Sequence, residues 1–169
     1  AWRLEQIDAA DYQRAVDIEN VKGETLPAGR AISGGELTAL LRVCADDPTA
    51  AGARDAALLA LLYSAGLRRA EAASLDLADY NPETGELKVS GKRNKTRLAH
   101  VVNGARAALA DWLIVRGSEP GALFLAVHKG GAIRQGQALT TQAIYNMLAK
   151  RAAAAGITDI SPHDLRRTF

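Results

Sequence analysis

Leu37, Leu40, Leu41 and Cys44 recur at the i, i+3, i+4, i+7 spacing of a stripe that a helix buries on one side. Ser33-Gly34-Gly35-Glu36 stands just ahead as a capping box, in which the Ser33 hydroxyl and the Glu36 carboxylate each satisfy an orphan backbone donor. The pattern predicts a helix that begins after Ser33 and stops at Asp46-Asp47-Pro48. From Arg54 to Ala65 the residues are apolar nearly all round, which predicts a central helix enclosed by others and closed by Gly66. A short helical segment follows around Arg68 to Ala73. The period then changes. Leu75, Leu77 and Tyr80 interleave with polar residues, Leu87 and Val89 flank Lys88, and Leu98, His100 and Val102 alternate. Turns at Asn81-Pro82-Glu83-Thr84-Gly85 and Gly91-Lys92-Arg93-Asn94 separate these runs, so a three-stranded antiparallel sheet is expected. Helical stripes return with Ala105, Ala108, Leu109, Trp112 and Leu113, and with Ile144, Met147, Leu148 and Arg151 up to Gly156. Ser161-Pro162-His163-Asp164 supplies an N-cap, a proline at the first helical position and an acid in the first turn, which opens a last helix. At the other end, Trp2 to Ile18 reads as one or two short helices. Asn20 to Arg30, with Gly23, Pro27 and Gly29, reads as a linker.

Composition narrows the class. A chain of 169 residues with 48% hydrophobic and 24% charged residues fits one globular domain and excludes a disordered or collagen-like chain. The longest apolar run, Ala56 to Leu62, is far shorter than a membrane span, and no basic segment precedes an apolar stretch at the start. A cytoplasmic protein without a membrane partner is therefore expected. Cys44 is the single cysteine, and His100, His128 and His163 are scattered, so neither a disulfide nor a Cys/His metal site is expected. Charge is lopsided along the chain. Residues 1–87 hold 8 Lys and Arg against 15 Asp and Glu, a balance of −7, whereas residues 88–169 hold 13 against 4, a balance of +9. A basic half points to a polyanion partner, although charge asymmetry alone also fits a solvated surface.

Three cationic clusters could carry chemistry. Arg68-Arg69 follows the buried helix directly, with Glu71 three residues beyond Arg68; an arginine held by a carboxylate is pre-organised for a fork-shaped contact to phosphate. Taken alone, the same residues also fit an exposed Arg–Glu pair. Lys88, Lys92, Arg93, Lys95 and Arg97 place five cations on one hairpin, which can follow a nucleic-acid backbone or simply protect a sheet edge. In His163-Asp164-Leu165-Arg166-Arg167, the imidazole and the Arg166 guanidinium share a helix face at a helix start and could converge on one anion. An exposed histidine with no such role is the alternative.

In order, Leu62-Tyr63-Ser64-Ala65-Gly66-Leu67-Arg68-Arg69-Ala70-Glu71, Gly91-Lys92-Arg93-Asn94-Lys95-Thr96-Arg97 and His163-Asp164-Leu165-Arg166-Arg167-Thr168-Phe169 resemble the catalytic boxes of the tyrosine recombinases, or phage integrases. The resemblance implies an α+β, mainly helical catalytic domain with a small three-stranded antiparallel sheet, the integrase-like DNA breaking-rejoining fold. It implies that residues 28–169 form the catalytic domain without its C-terminal part. Residues 1–27 would be the tail of a preceding helical DNA-binding domain with its linker.

The roles implied are specific. Arg68 and Arg166 resemble the arginines that bind the non-bridging oxygens of the scissile phosphate, and Lys92 the hairpin lysine that protonates the 5′-oxygen. His163 resembles the histidine that assists proton transfer, and Glu71 the acid that steadies the first arginine. Arg69, Arg93, Lys95, Arg97 and Arg167 are expected to contact DNA. The family's tyrosine nucleophile follows the second arginine, so it is not expected among Tyr12, Tyr63, Tyr80 and Tyr145, the last three of which read as core or sheet residues. The implied activity is site-specific recombination of double-stranded DNA through a 3′-phosphotyrosyl intermediate, with other recombinase protomers as partners. No metal and no small-molecule cofactor are implied. A non-catalytic DNA-binding module that keeps the phosphate pocket is the alternative.

Overall fold

A computed structural model describes residues 29–91 and 96–167. The expected helices of Trp2 to Ile18, nearly all of the linker, and the hairpin tip with Lys92, Arg93 and Lys95 lie outside the described residues. The elements run α1 (Gly34–Ala45), α2 (Ala50–Ser64), α3 (Arg69–Ser74), a 3₁₀ turn (Leu77–Asp79), β1 (Glu86–Ser90) and β2 (Thr96–His100). They continue with α4 (Asn103–Arg116), β3 (Leu125–Val127), β4 (Ile133–Ala138), α5 (Thr141–Ala154) and α6 (Pro162–Arg167).

The opening capping box forms as expected. Glu36 N–H donates to Ser33 Oγ at 3.2 Å and Ser33 N–H to Glu36 Oε2 at 2.8 Å, which fixes where α1 begins. Helix α2 is the centre of the molecule. Leu58, Leu59, Leu61 and Leu62 are fully buried, and α2 packs against α1, α4 and α6 on different sides. Gly52 permits the contact with the end of α1, since a Cβ there would stand 2.1 Å from the Asp47 carbonyl oxygen.

At the start of α2 lies a closed ionic cluster. Asp55 accepts from Arg54 Nε at 2.9 Å and Nη2 at 2.7 Å, and from Arg151 Nε at 2.9 Å, while Arg151 Nη2 reaches Asp47 at 2.7 Å. It joins α2 and α5 to the α1–α2 connection.

The sheet departs from expectation. β1 and β2 form the anticipated antiparallel hairpin with Val89 opposite Arg97, but the third strand expected over Leu75 to Tyr80 is reduced to two isolated bridges, Tyr80 with Leu87 and Asp76 with Ala122. Local bonding explains it. Asp76 Oδ1 accepts from Ala78 N–H and Asp79 Oδ2 from Asp76 N–H, which curls Leu77–Asp79 into a 3₁₀ turn. Within β2 the residues facing inward are Arg97 and Ala99, so Leu98 stands 64% exposed. A second antiparallel pair, β3 with β4, was not expected, because β4 is polar and exposed on both faces. Among the described residues, no helix is long and apolar enough to cross a membrane.

Candidate active site

The α2–α3 turn sets the first arginine. Gly66, at φ +56, turns the chain out of α2, and Leu67 is fully buried, so Arg68 emerges from a fixed point. Arg68 Nη1 donates to Glu71 Oε1 at 2.7 Å and Arg68 N–H to Glu71 Oε2 at 2.9 Å. The carboxylate therefore fixes the backbone and the side chain of the same arginine. Glu71 is 5% exposed, whereas 62% of the Arg68 side chain is open to solvent. Burial pushes the Glu71 carboxyl up, yet the hydrogen bonds from Arg68 and Arg97 outweigh that and hold it below the usual carboxylate range.

Helix α6 supplies the other side. Its first turn is tied by Asp164, which accepts from Ser161 N–H and Ser161 Oγ at 2.7 Å each, and from Arg30 N–H at 2.7 Å. Burial raises the Asp164 carboxyl, and these bonds together with the nearby His163 lower it by more. Leu165 is fully buried, so His163 and Arg166 are carried on a helix anchored in the core. His163 is exposed and Arg166 half-buried. Arg166 Nη1 is buried and has no hydrogen-bond partner among the described residues.

Arg68, Arg69, His163 and Arg166 line one cleft of about 460 Å³, together with Tyr145 and Ser161. Three guanidinium groups and an imidazole, from two distant stretches of the sequence, thus open onto the same space. A second cleft between α3 and the hairpin is bounded by Arg68, Glu71, Ser90, Gly91, Thr96 and Arg97.

The other expected residues fall into three groups. Lys92, Arg93 and Lys95 lie outside the described residues. Arg69 sits over the Tyr145 ring, 5.7 Å from its centroid, at the rim of the cleft, and Arg167 Nη1 donates to the Gly29 carbonyl at 3.2 Å. Arg97 turns inward, to the Ala65 and Gly66 carbonyls and Glu71. Of the tyrosines, Tyr80 is buried and Tyr63 packs against the core, but Tyr145 is 43% exposed and belongs to the cleft. The sequence held the signal: Tyr145 is one residue past Ile144 in the buried stripe of α5, and one residue turns a helix by about 100°. Among the described residues, no group of three or more His, Cys, Asp or Glu gathers in a way that could hold a metal ion.

Comparison with known proteins finds relatives both by sequence and by fold. The tyrosine recombinase XerC of Corynebacterium glutamicum is 36% identical over 118 residues, covering 68% of this chain and 36% of the relative. XerC of Vibrio cholerae is 33% identical over 153 residues, covering 88% of this chain and 46% of the relative. The chain thus spans less than half the length of these relatives. Among solved structures, XerA recombinase superposes with a TM-score of 0.68 at 22% identity, covering 94% of this chain and 55% of the other. XerH recombinase, bound to a palindromic difH substrate in a post-cleavage complex, gives 0.65 at 23% identity over 89% and 45%. These likenesses show a shared fold, of which the β1–β2 hairpin and the surrounding helices are the described part. The model of the phage integrase family matches residues 30–169, and the chain belongs to that family.

Proposed function

We propose that this domain holds a phosphodiester of double-stranded DNA for site-specific recombination by transesterification. Arg68 and Arg166 bind the two non-bridging oxygens. Glu71 steadies Arg68, and His163 contacts the same phosphate while assisting proton transfer. A tyrosine hydroxyl, which we assign to a position outside this chain, attacks phosphorus as the bond to the 5′-oxygen breaks. Lys92 supplies the proton to that leaving oxygen. The product is a 3′-phosphotyrosyl link and a free 5′-hydroxyl, and attack by a second 5′-hydroxyl reverses it, so one ester replaces another throughout. Charge builds on the phosphoryl oxygens in the transition state, where fixed donors act most strongly.

The observation that carries this reading is the Arg166 nitrogen buried beside a cleft shared with Arg68 and His163. A buried donor left without a partner costs free energy, and an anionic oxygen in the cleft relieves it. Arg69 and Arg167, with the hairpin residues Arg93 and Lys95, are assigned to the DNA backbone around the site. Residues 1–27 are assigned to a preceding helical DNA-binding domain and linker, and residues 28–169 to the catalytic domain. The names of the relatives support recombination, and recombination requires further protomers on the DNA. With DNA as substrate, the protein works in the cytoplasm at the nucleoid.

The test is a nicked suicide duplex incubated with the full-length gene product. A covalent protein–DNA adduct is expected, and Arg68→Ala or Arg166→Ala should each lower its rate of formation by about 10²–10³-fold. DNA binding that weakens steeply with salt but never yields an adduct supports the non-catalytic module instead.

A further inference from the structure

We infer that Arg97 is a positioning residue of the phosphate site, joining the hairpin to the α2–α3 turn and sharing the Glu71 carboxylate with Arg68, rather than a residue that touches DNA. This inference rests on the recombination reading and deepens it. It also reassigns Arg97, which sequence grouped with the DNA-contacting cations of the hairpin.

The contacts are specific. Arg97 Nη1 and Nη2 both donate to the Ala65 carbonyl at 3.3 Å, and Nη2 also approaches the Gly66 carbonyl at 3.5 Å and Glu71 Oε2 at 3.2 Å. Ala65 and Gly66 are the residues that turn the chain from α2 toward Arg68. Glu71 Oε2 is the oxygen that also accepts the Arg68 backbone N–H, while Oε1 holds the Arg68 side chain. One guanidinium therefore braces the turn before Arg68 and the acid behind it. Arg97 reaches there because Val89, opposite it in the hairpin, is buried, so the pair faces the body of the domain.

The shape of the group matters as much as its charge. A planar fork with five donors can span two carbonyls and a carboxylate together, whereas a lysine ammonium acts as a point charge. Loss of the fork leaves the Ala65 and Gly66 carbonyls and one side of Glu71 short of donors. Glu71 then keeps only its bonds to Arg68 itself, so neither the carboxylate nor the aim of Arg68 is fixed to the hairpin any longer. A misplacement of about 1 Å at a catalytic group costs on the order of 10²-fold in rate.

The experiment compares single-turnover cleavage of the suicide duplex with DNA affinity at two salt concentrations, for the full-length gene product and its Arg97→Ala, Arg97→Lys and Glu71→Gln variants. Arg97→Ala is expected to cleave roughly 10- to 100-fold more slowly at saturating protein. Its dissociation constant should stay within about 3-fold and its salt slope unchanged, because no phosphate contact is lost. Arg97→Lys should fall between. In the Glu71→Gln background, adding Arg97→Ala should cost little more, since both act through one carboxylate. A fold-only role would instead make the two effects add and track the thermal midpoint. Weakened binding with a salt slope reduced by about one, and a normal rate at saturation, overturns the inference in favour of a DNA contact. Should Arg97→Ala not fold, the Lys variant decides, and wild-type rate in it overturns the inference. If the unaltered protein forms no adduct, the recombination reading fails and takes the inference down; if it does and Arg97→Ala matches it, the inference alone fails.

Discussion

Two arginine clusters in this domain show opposite designs. In the first, Arg54 and Arg151 meet Asp55 and Asp47 at the start of α2; the two arginines and Asp55 are almost fully buried, and charge is matched one for one. In the second, Arg68 and Arg97 share Glu71, while Arg69, His163 and Arg166 gather at the neighbouring cleft. The acid that accompanies His163 and Arg166, Asp164, is occupied by backbone N–H groups of Ser161 and Arg30. The first cluster is complete in itself. The second carries surplus positive charge and a buried nitrogen with no hydrogen-bond partner among the described residues, which the proposed phosphate would complete. A closed ion cluster holds a fold together; an open one is arranged for a ligand.

Removing a charge should separate the two sharply. Asp55→Ala leaves two buried guanidinium groups short of a partner, and a loss of about 3–5 kcal/mol in unfolding free energy is expected from urea denaturation. A loss below about 1 kcal/mol would place the cluster with ordinary surface pairs. Arg166→Ala should do the reverse. Its unfolding midpoint should stay level or rise, while adduct formation falls by about 10²–10³-fold, near 3–4 kcal/mol in the barrier. Equal damage to stability would mean that Arg166 belongs to the scaffold.

Gly52→Ala probes the geometry around the closed cluster without touching a charge. The added methyl meets backbone of Asp47 and Cys44, at 2.1 and 2.6 Å, so the α1–α2 contact must open. A cost of about 1–3 kcal/mol is expected, with cleavage per folded molecule unchanged.

The smallest effect is on pH dependence. Burial raises the Asp47 carboxyl, but hydrogen bonds from Thr49 and Arg151 outweigh it and bring the group from 3.8 down to about 2. A depressed folded value stabilises above the unfolded value and is lost as pH falls through the folded one. Stability should therefore decline between pH 4 and pH 2. Asp47→Asn should flatten that part of the denaturation profile, and an unchanged slope counts against the assignment.

Much of this was legible because it is local. The Ser33–Glu36 box and the apolar girdle of α2 depend on residues within a turn or two, and both appear where expected. Arg68, Glu71, His163 and Arg166 were readable as a set through the family resemblance, though only the fold brings Arg68, His163 and Arg166 to one cleft with Glu71 behind Arg68. What escaped was decided at a distance or by competition. The Asp76 and Asp79 carboxylates captured backbone donors that a strand would have used. β4 has no buried face to give a period. Nothing in the apolar stripe of α4 points to Arg116, whose donors fill the Gly117, Glu119, Gly121 and Ala122 carbonyls. Arg97 differs from Lys88, the other described cation of the hairpin, in the side of the sheet it occupies.

The central claim is that Arg68 and Arg166 act on one phosphate, and a structure of the full-length protein on its own DNA site tests it most directly. One phosphodiester within hydrogen-bonding reach of both guanidinium groups, including Arg166 Nη1, with Arg97 still on Glu71, is the expected result. Phosphates bound separately to Arg68 and Arg166, or a cleft facing away from the duplex, would contradict it.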